Sequence, residues 1–256
     1  QLKRNGQQAM SNWLVRPQQQ HNPKLRLFCF AYAGGSAWVF RPWAKQFPES
    51  IEVCAVELPG RGKRLTEPAL TDLDAVIQAV GPQMLPLLDV PFAFFGHSMG
   101  ALIAFELSRW LRNSTQLSPL HFWASAASAP HISVTPPLMH TLSKPDFIHR
   151  LKQYQGTPIS VLNNAELMDL MLPTLKADFT LLETYHYQPQ DPFDFPMTGL
   201  WGTKDNVVDK ADLAAWQVHT ADFQLEEIAG DHFFMQQPGF VRTFLPKLTE
   251  LTYQIH

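Results

Sequence analysis

The densest chemistry in the chain is the pentapeptide Gly96-His97-Ser98-Met99-Gly100. It lies between the apolar run PFAFF and the longer run ALIAFELSRW, which read as a strand and a helix. A sharp strand–turn–helix of this kind lifts a serine hydroxyl above a sheet in a strained conformation. Its glycines keep side chains from colliding with the neighbouring strand and helix. A bare Gly-x-Ser-x-Gly occurs by chance about 0.1 times in a chain this long, so its placement between two such elements carries the weight. A serine is a poor nucleophile at neutral pH and needs a base. In this architecture the partners follow in the order Ser, acid, His.

Of the ten histidines, His219, His232 and His256 come late enough. His256 is the last residue, and His219, just ahead of the final strand, reads as a surface residue. His232 sits in AGDHFFM, directly after that strand, where a loop can lower an imidazole onto the serine; it is the expected base. Asp205, in the turn GTKDNVV after the strand MTGLWG, is the expected acid, orienting the imidazole and stabilising its charged form. Its competitors are Asp194, Asp209, which reads as a helix cap, and Asp231, too near His232 in sequence to reach the far side of the ring. The oxyanion of an acyl transfer needs N–H donors. One is the backbone of Met99. The other is expected from Tyr32-Ala33-Gly34-Gly35-Ser36, with Ala33 as the candidate.

These residues need a scaffold. Leu25–Ala31 and Ile51–Val56 are short, nearly continuous apolar runs, the pattern of strands buried on both faces. Thr71 to Leu88 follows as a helix with Leu73, Val76, Ile77 and Val80 on one stripe. Further strands are expected at Pro91–Gly96, His121–Ala126, Met197–Gly202 and Phe223–Ala229, and helices at Met99 to Leu111 and Pro238 to Leu251. Such alternation predicts an α/β fold with a mostly parallel sheet flanked by helices. Residues 129–190 break the rhythm: Pro-rich at first, then helical, with Asn163 and Glu166 resembling a helix start and Pro173 expected to kink or restart the helix. They read as a helical lid inserted into a core of residues 24–128 and 191–256.

Composition sets the limits. The 256 residues are 45% hydrophobic and 17% charged with a net charge of −3, which excludes a disordered chain and argues against a dedicated nucleic-acid binder. Cys29 and Cys54 lie in strand-like runs and read as buried free thiols; no zinc-spaced Cys/His cluster occurs, so no metal is expected. No apolar stretch reaches the roughly 18 residues of a membrane span. The first ten residues lack the apolar core of a secretory signal, so a cytoplasmic protein without membrane attachment is expected. Residues 1–23 read as an N-terminal extension; residues 1–9 are polar, either an expression remnant or native, with Met10 as a candidate start.

The chain resembles the type II thioesterases of nonribosomal peptide and polyketide synthesis, members of the α/β-hydrolase superfamily. The resemblance runs from about Leu25 to the C-terminus and rests on FAYAGGSAWVFRPW, VELPGRGKRLTEP, FFGHSMGALIAFELSR, PTLKADFTLLETY, GTKD and GDHFFM. The PGR-x-x-R-x-x-EP and K-A-D-F-x-x-x-E-x-Y segments are the more specific ones. The resemblance implies a Ser98, Asp205, His232 triad with Met99 and Ala33 as oxyanion donors. It implies no cofactor of the enzyme's own and a substrate thioester on the 4′-phosphopantetheine arm of a carrier protein domain, met as a monomer. Two positions depart from the family pattern. Ala31 and Tyr32 stand where a proline and a histidine often precede the oxyanion alanine, and Asp231 replaces the second glycine of Gly-Gly-His.

Arg61, Lys63 and Arg64 offer a basic patch for an acidic carrier, although a loop arginine bracing Glu67 or the backbone is the plainer expectation. Trp38, Phe40 and Trp43 read as core before pocket. The rival functions are a medium-chain fatty acyl thioesterase, a carboxylesterase or acyltransferase on the same fold, and a non-catalytic acyl binder.

Overall fold

The computed structural model describes residues 12–154 and 162–254. Met10 and the residues before it lie outside that range. A seven-stranded sheet forms the centre, made of β1 (Leu14–Val15), β2 (Leu25–Phe30), β3 (Ile51–Val56), β4 (Phe92–His97), β5 (Phe122–Ser125), β6 (Met197–Gly202) and β7 (Phe223–Ile228). The spatial order is β1-β3-β2-β4-β5-β6-β7. Every pair is parallel except β1 with β3. Residues 12–23 therefore do more than precede the core: Leu14 pairs with Val56, and the Glu57 N–H donates to the Trp13 carbonyl over 2.9 Å.

The strands β2, β3 and β4 are buried along their whole length. Successive side chains alternate between faces. Phe28, Phe30 and Phe94 enter one apolar layer with Val76, Ile103 and Phe105. Leu27, Cys29 and Phe95 enter the other with Trp43, Phe240 and Phe244. Phe40 and Trp43 are core, but Trp38 is 37% exposed, with Arg41 and Lys63 stacked on its ring. Charge inside the buried strands is matched. Arg26 and Glu52 face each other across β2 and β3, and Arg26 Nε donates to Glu52 Oε2 over 2.6 Å. Both cysteines are buried and free.

The covering helices are α1 (Arg41–Ala44), α2 (Leu73–Met84), α3 (Met99–Thr115), α4 (Lys144–Tyr154), α5 (Ala165–Glu183), α6 (Lys210–Ala214) and α7 (Phe240–Gln254). Two expectations are corrected in the inserted region. The cap of α5 is Asn164, not Asn163: its side chain accepts from the Leu167 N–H, three residues on. Nor does Pro173 restart the helix, because α5 runs through it. Met168 before the proline and Leu175 after it enter one apolar cluster with Phe147 and Leu151 of α4, which holds the helix as one piece.

Candidate active site

Ser98 occupies the single residue between β4 and α3, with φ 54° and ψ −118°. Positive φ is costly for a residue with a side chain, and it persists here because both neighbours are pinned. The Ser98 N–H donates to the Ser125 carbonyl over 2.8 Å, and the Ser98 carbonyl accepts from the Ala101 N–H over 2.9 Å. The flanking glycines are obligatory. A Cβ on Gly100 would lie 2.1 Å from the Phe30 carbonyl oxygen, and one on Gly96 would lie 2.5 Å from the Ala101 backbone. Without them α3 could not seat its N-terminus against the end of β2.

The loops after β6 and β7 are laced together. The Thr203 and Lys204 N–H groups donate to the carbonyls of Ile228 and Gly230, each over 2.8 Å. This brings Asp205 and His232 together. His232 Nδ1 donates to Asp205 Oδ2 over 2.9 Å, and both side chains are almost wholly shielded from solvent. The other carboxylate oxygen, Oδ1, accepts from the N–H groups of Val207 (2.8 Å) and Val208 (3.1 Å). Burial alone raises a carboxyl pKa, but the His232 hydrogen bond and charge and these two N–H groups outweigh it, and Asp205 sits below its ordinary value. With the Nδ1 proton committed to Asp205, His232 Nε2 keeps a free lone pair.

The histidine loop is tied to the elbow through His97. His97 Nε2 lies 2.8 Å from the His232 carbonyl, and its ring centroid is 5.5 Å from that of His232. The backbone of the imidazole is thereby fastened to the residue next to the serine. Among the described residues no hydrogen bond joins the Ser98 hydroxyl to the His232 ring; such contacts are often long before substrate arrives.

Ser98 and Met99 open onto a cavity of about 620 Å³ walled by Leu102, Ala127, Phe179, Leu182 and Val208 among others. Met99 is the first residue of α3, where N–H groups have no intrahelical partner. Ala33 lies in the turn after β2, closed by the Gly35 N–H donating to the Tyr32 carbonyl over 2.8 Å. The two family departures have local uses. Tyr32 packs edge-on against Phe233 and His97, so it braces the histidine loop. Asp231 Oδ1 accepts from the Phe233 N–H over 2.8 Å, which caps the turn behind His232.

Several expectations need correction. His219 is not a surface residue but is 4% exposed, with its Nε2 at 2.9 Å from His131 Nδ1. Burial, then His131 and Arg109, push its pKa down to about 4. Of the two readings for Arg61, Lys63 and Arg64, the structure favours bracing over a basic patch: Arg61 and Arg64 are buried and only Lys63 is exposed. Arg64 grips Glu67 and donates to the Glu57 carbonyl over 3.1 Å. Arg61 turns inward onto Asp178 of α5. Asp178 is a functional candidate that sequence reasoning does not supply, although the K-A-D-F segment that holds it is one of the more specific motifs. Among the described residues no cluster of His, Cys, Asp and Glu is arranged to hold a metal, and no helix is long and apolar enough to cross a membrane.

Residues 25–248 match the family model of the thioesterase domain. The chain is similar to the linear gramicidin dehydrogenase LgrE of Brevibacillus parabrevis, 42% identical over 229 residues (88% of this chain, 87% of that one). It is equally similar to the gramicidin S biosynthesis protein GrsT of Aneurinibacillus migulanus, 42% identical over 232 residues (90% of this chain, 91% of that one). Among solved structures, the type II thioesterase BorB from the borrelidin biosynthetic cluster superposes with a TM-score of 0.84. It is 32% identical and the match covers 94% of this chain and 97% of that one.

Proposed function

The chain belongs to the thioesterase domain family of α/β-hydrolase fold and is a hydrolase acting on thioesters; on that premise we propose that it removes acyl or aminoacyl groups from the phosphopantetheine arm of carrier protein domains, with Ser98 as nucleophile. The observation that carries the reading is the hydrogen bond from His232 Nδ1 to Asp205 Oδ2 at the foot of a strained serine elbow.

The chemistry proceeds in two halves. His232 Nε2 takes the Ser98 proton as Oγ bonds to the thioester carbonyl carbon. The N–H groups of Met99 and Ala33 receive the oxyanion. The C–S bond breaks, and the imidazolium returns its proton to the departing sulfur, freeing the carrier thiol. Water then gives a proton to His232 and attacks the acyl-serine carbon. The ester bond breaks, Ser98 recovers its proton and the carboxylic acid leaves. Side chains and water supply every atom, so no cofactor enters. The cavity beside Ser98 takes the acyl group. In this reading the biological role is clearance of stalled or wrongly primed groups from the carrier domains of a synthetase, in the cytoplasm.

The test is hydrolysis of acetyl-, aminoacyl- and longer acyl-carrier proteins, with Ser98→Ala as control. The expected result is turnover of short acyl and aminoacyl carriers that Ser98→Ala abolishes. Preference for free medium-chain acyl thioesters would favour the fatty acyl rival. Faster turnover of p-nitrophenyl oxygen esters would favour an esterase. Since LgrE is named a dehydrogenase, the assay is run with and without NADPH; a rate that depends on it would overturn the hydrolytic reading.

A further inference from the structure

The inserted helix α5 reaches the oxyanion loop through one buried carboxylate. Asp178, fully buried, accepts two parallel hydrogen bonds from Arg61, Nη1 to Oδ2 and Nη2 to Oδ1, each 2.7 Å. Oδ2 also accepts the Gly34 N–H over 2.7 Å. Arg61 Nη1 donates in addition to the Gly35 carbonyl over 3.2 Å. Thr174 and Leu175, one turn before Asp178 on α5, close the contact. Thr174 Oγ1 donates to the Gly60 carbonyl over 2.7 Å. Leu175 lies so close to Gly34 that a Cβ there would meet its Cδ2 at 2.5 Å.

These contacts hold the turn that carries the Ala33 N–H. In a planar trans peptide the C=O and the following N–H are antiparallel. The Tyr32 carbonyl is held by the Gly35 N–H, so the Ala33 N–H of the same peptide is aimed the opposite way. The next peptide, Ala33–Gly34, is held by its N–H on Asp178. Gly34 has φ 78°, a conformation open to glycine, so the turn relies on these anchors. The peptide after Ala33 is therefore set by a carboxylate on the inserted helix, and the peptide before it by Gly35, whose own carbonyl is held by a guanidinium on the loop after β3.

We propose that Asp178 and Arg61 are positioning residues for the oxyanion hole, so that the docking of α5 sets the rate of the chemical step as well as the shape of the acyl cavity. This rests on the Ser98 reading above. Neither residue touches substrate. A donor displaced by about 1 Å costs on the order of a hundredfold in rate.

The test is Asp178→Asn. An amide in that place offers one good acceptor to three N–H donors and turns its own NH2 against the guanidinium. Turnover is counted per site titrated by a fluorophosphonate, so that unfolded molecules do not enter the rate. The expected result is a kcat about tenfold to a hundredfold lower with KM within about twofold. Affinity for a boronic acid, which forms a tetrahedral adduct on serine, should fall by the same factor as kcat/KM, while a non-hydrolysable acyl-pantetheine amide binds unchanged. Arg61→Lys, which keeps the charge but cannot span both carboxylate oxygens and the Gly35 carbonyl, should lose about tenfold, and it decides the matter should Asp178→Asn fail to fold. A per-site kcat within about twofold of the parent in the variant that folds overturns the proposal. Ser98→Ala, run alongside, separates the two ideas: if that variant stays active, the nucleophile assignment is wrong, whatever Asp178 does.

Discussion

His97 and His232 are joined ring to backbone: His97 Nε2 sits 2.8 Å from the His232 carbonyl oxygen. A carbonyl only accepts, so Nε2 carries the hydrogen. Burial and the neighbouring His232 push the His97 pKa down to about 3, so the ring is neutral and Nδ1 must accept from the Ser125 hydroxyl at 2.8 Å. The tautomer follows from its partners. Ser125→Ala leaves the Nδ1 lone pair buried without a donor and should lower stability by about 1–3 kcal/mol. Urea unfolding measures this, and an unchanged midpoint would contradict the assignment.

Asp205→Asn tests the acid. Its Oδ1 is anchored by the Val207 and Val208 N–H groups, so an asparagine keeps its oxygen there and turns its NH2 toward the imidazole. Nδ1 must then accept, the proton moves to Nε2, and the base is blocked. The expected loss in kcat is about a thousandfold to ten-thousandfold, with the fold retained. Stopped assays on acyl-carrier substrate, with circular dichroism for integrity, give the answer. A loss under tenfold would remove Asp205 from the mechanism.

Two glycine substitutions should part company. Gly100→Ala drives a Cβ to 2.1 Å from the Phe30 carbonyl oxygen, a backbone atom that cannot turn aside. It should cost at least about 3 kcal/mol or prevent folding. Gly239→Ala meets nothing within 4 Å and should change stability by less than about 0.5 kcal/mol. Thermal melts of the two proteins compare them directly.

His121 provides a pH test away from the site. Burial, with Lys247 nearby, pushes its pKa down to about 4, and its Nε2 lies 2.9 Å from Thr198 Oγ1. The folded state thus binds fewer protons than the unfolded chain, whose histidine titrates near 6.5. The contribution is complete above about pH 6.5 and is lost as pH falls toward 4. His121→Gln should flatten the slope of stability against pH in that window, by at most about 1.4 kcal/mol per pH unit. Denaturant unfolding at half-unit pH steps reads the slope. A parallel curve for the variant would mean His121 does not stay neutral.

Much of this site was legible along the chain because its signals are short-range. The strand before Ser98 and the helix after it follow from hydrophobic period, and the glycines at 96 and 100 follow from steric exclusion. Asp205 and His232, which the structure brings into one hydrogen bond, are expected from rank order after a strand, which is again local. Two readings differ from the structure, for separate reasons. Asn163 lost the cap to Asn164 by one residue, because capping depends on the side-chain angle at a helix start. His219 reads as a surface residue from its own segment, because nothing there announces that Phe105, His131 and Tyr187, all far earlier in the chain, pack around its ring.

Arg61 shows where local reading ends. Its motif marks it as special, and the plainer expectation for a loop arginine is that it braces Glu67 or the backbone. Its partner is 117 positions away on a helix inserted between β5 and β6. Which face of α5 meets which loop depends on strand order and on how the insertion seats over the sheet edge, and neither is written in any window of the chain. Sequence settles backbone shape through sterics, periodicity and turn chemistry, which act over a few residues. Burial of a charge, the partition of a carboxylate's two oxygens and the aim of the Ala33 N–H arise from contacts between segments far apart in the chain. These exist only once the sheet has assembled and brought those segments within hydrogen-bonding distance.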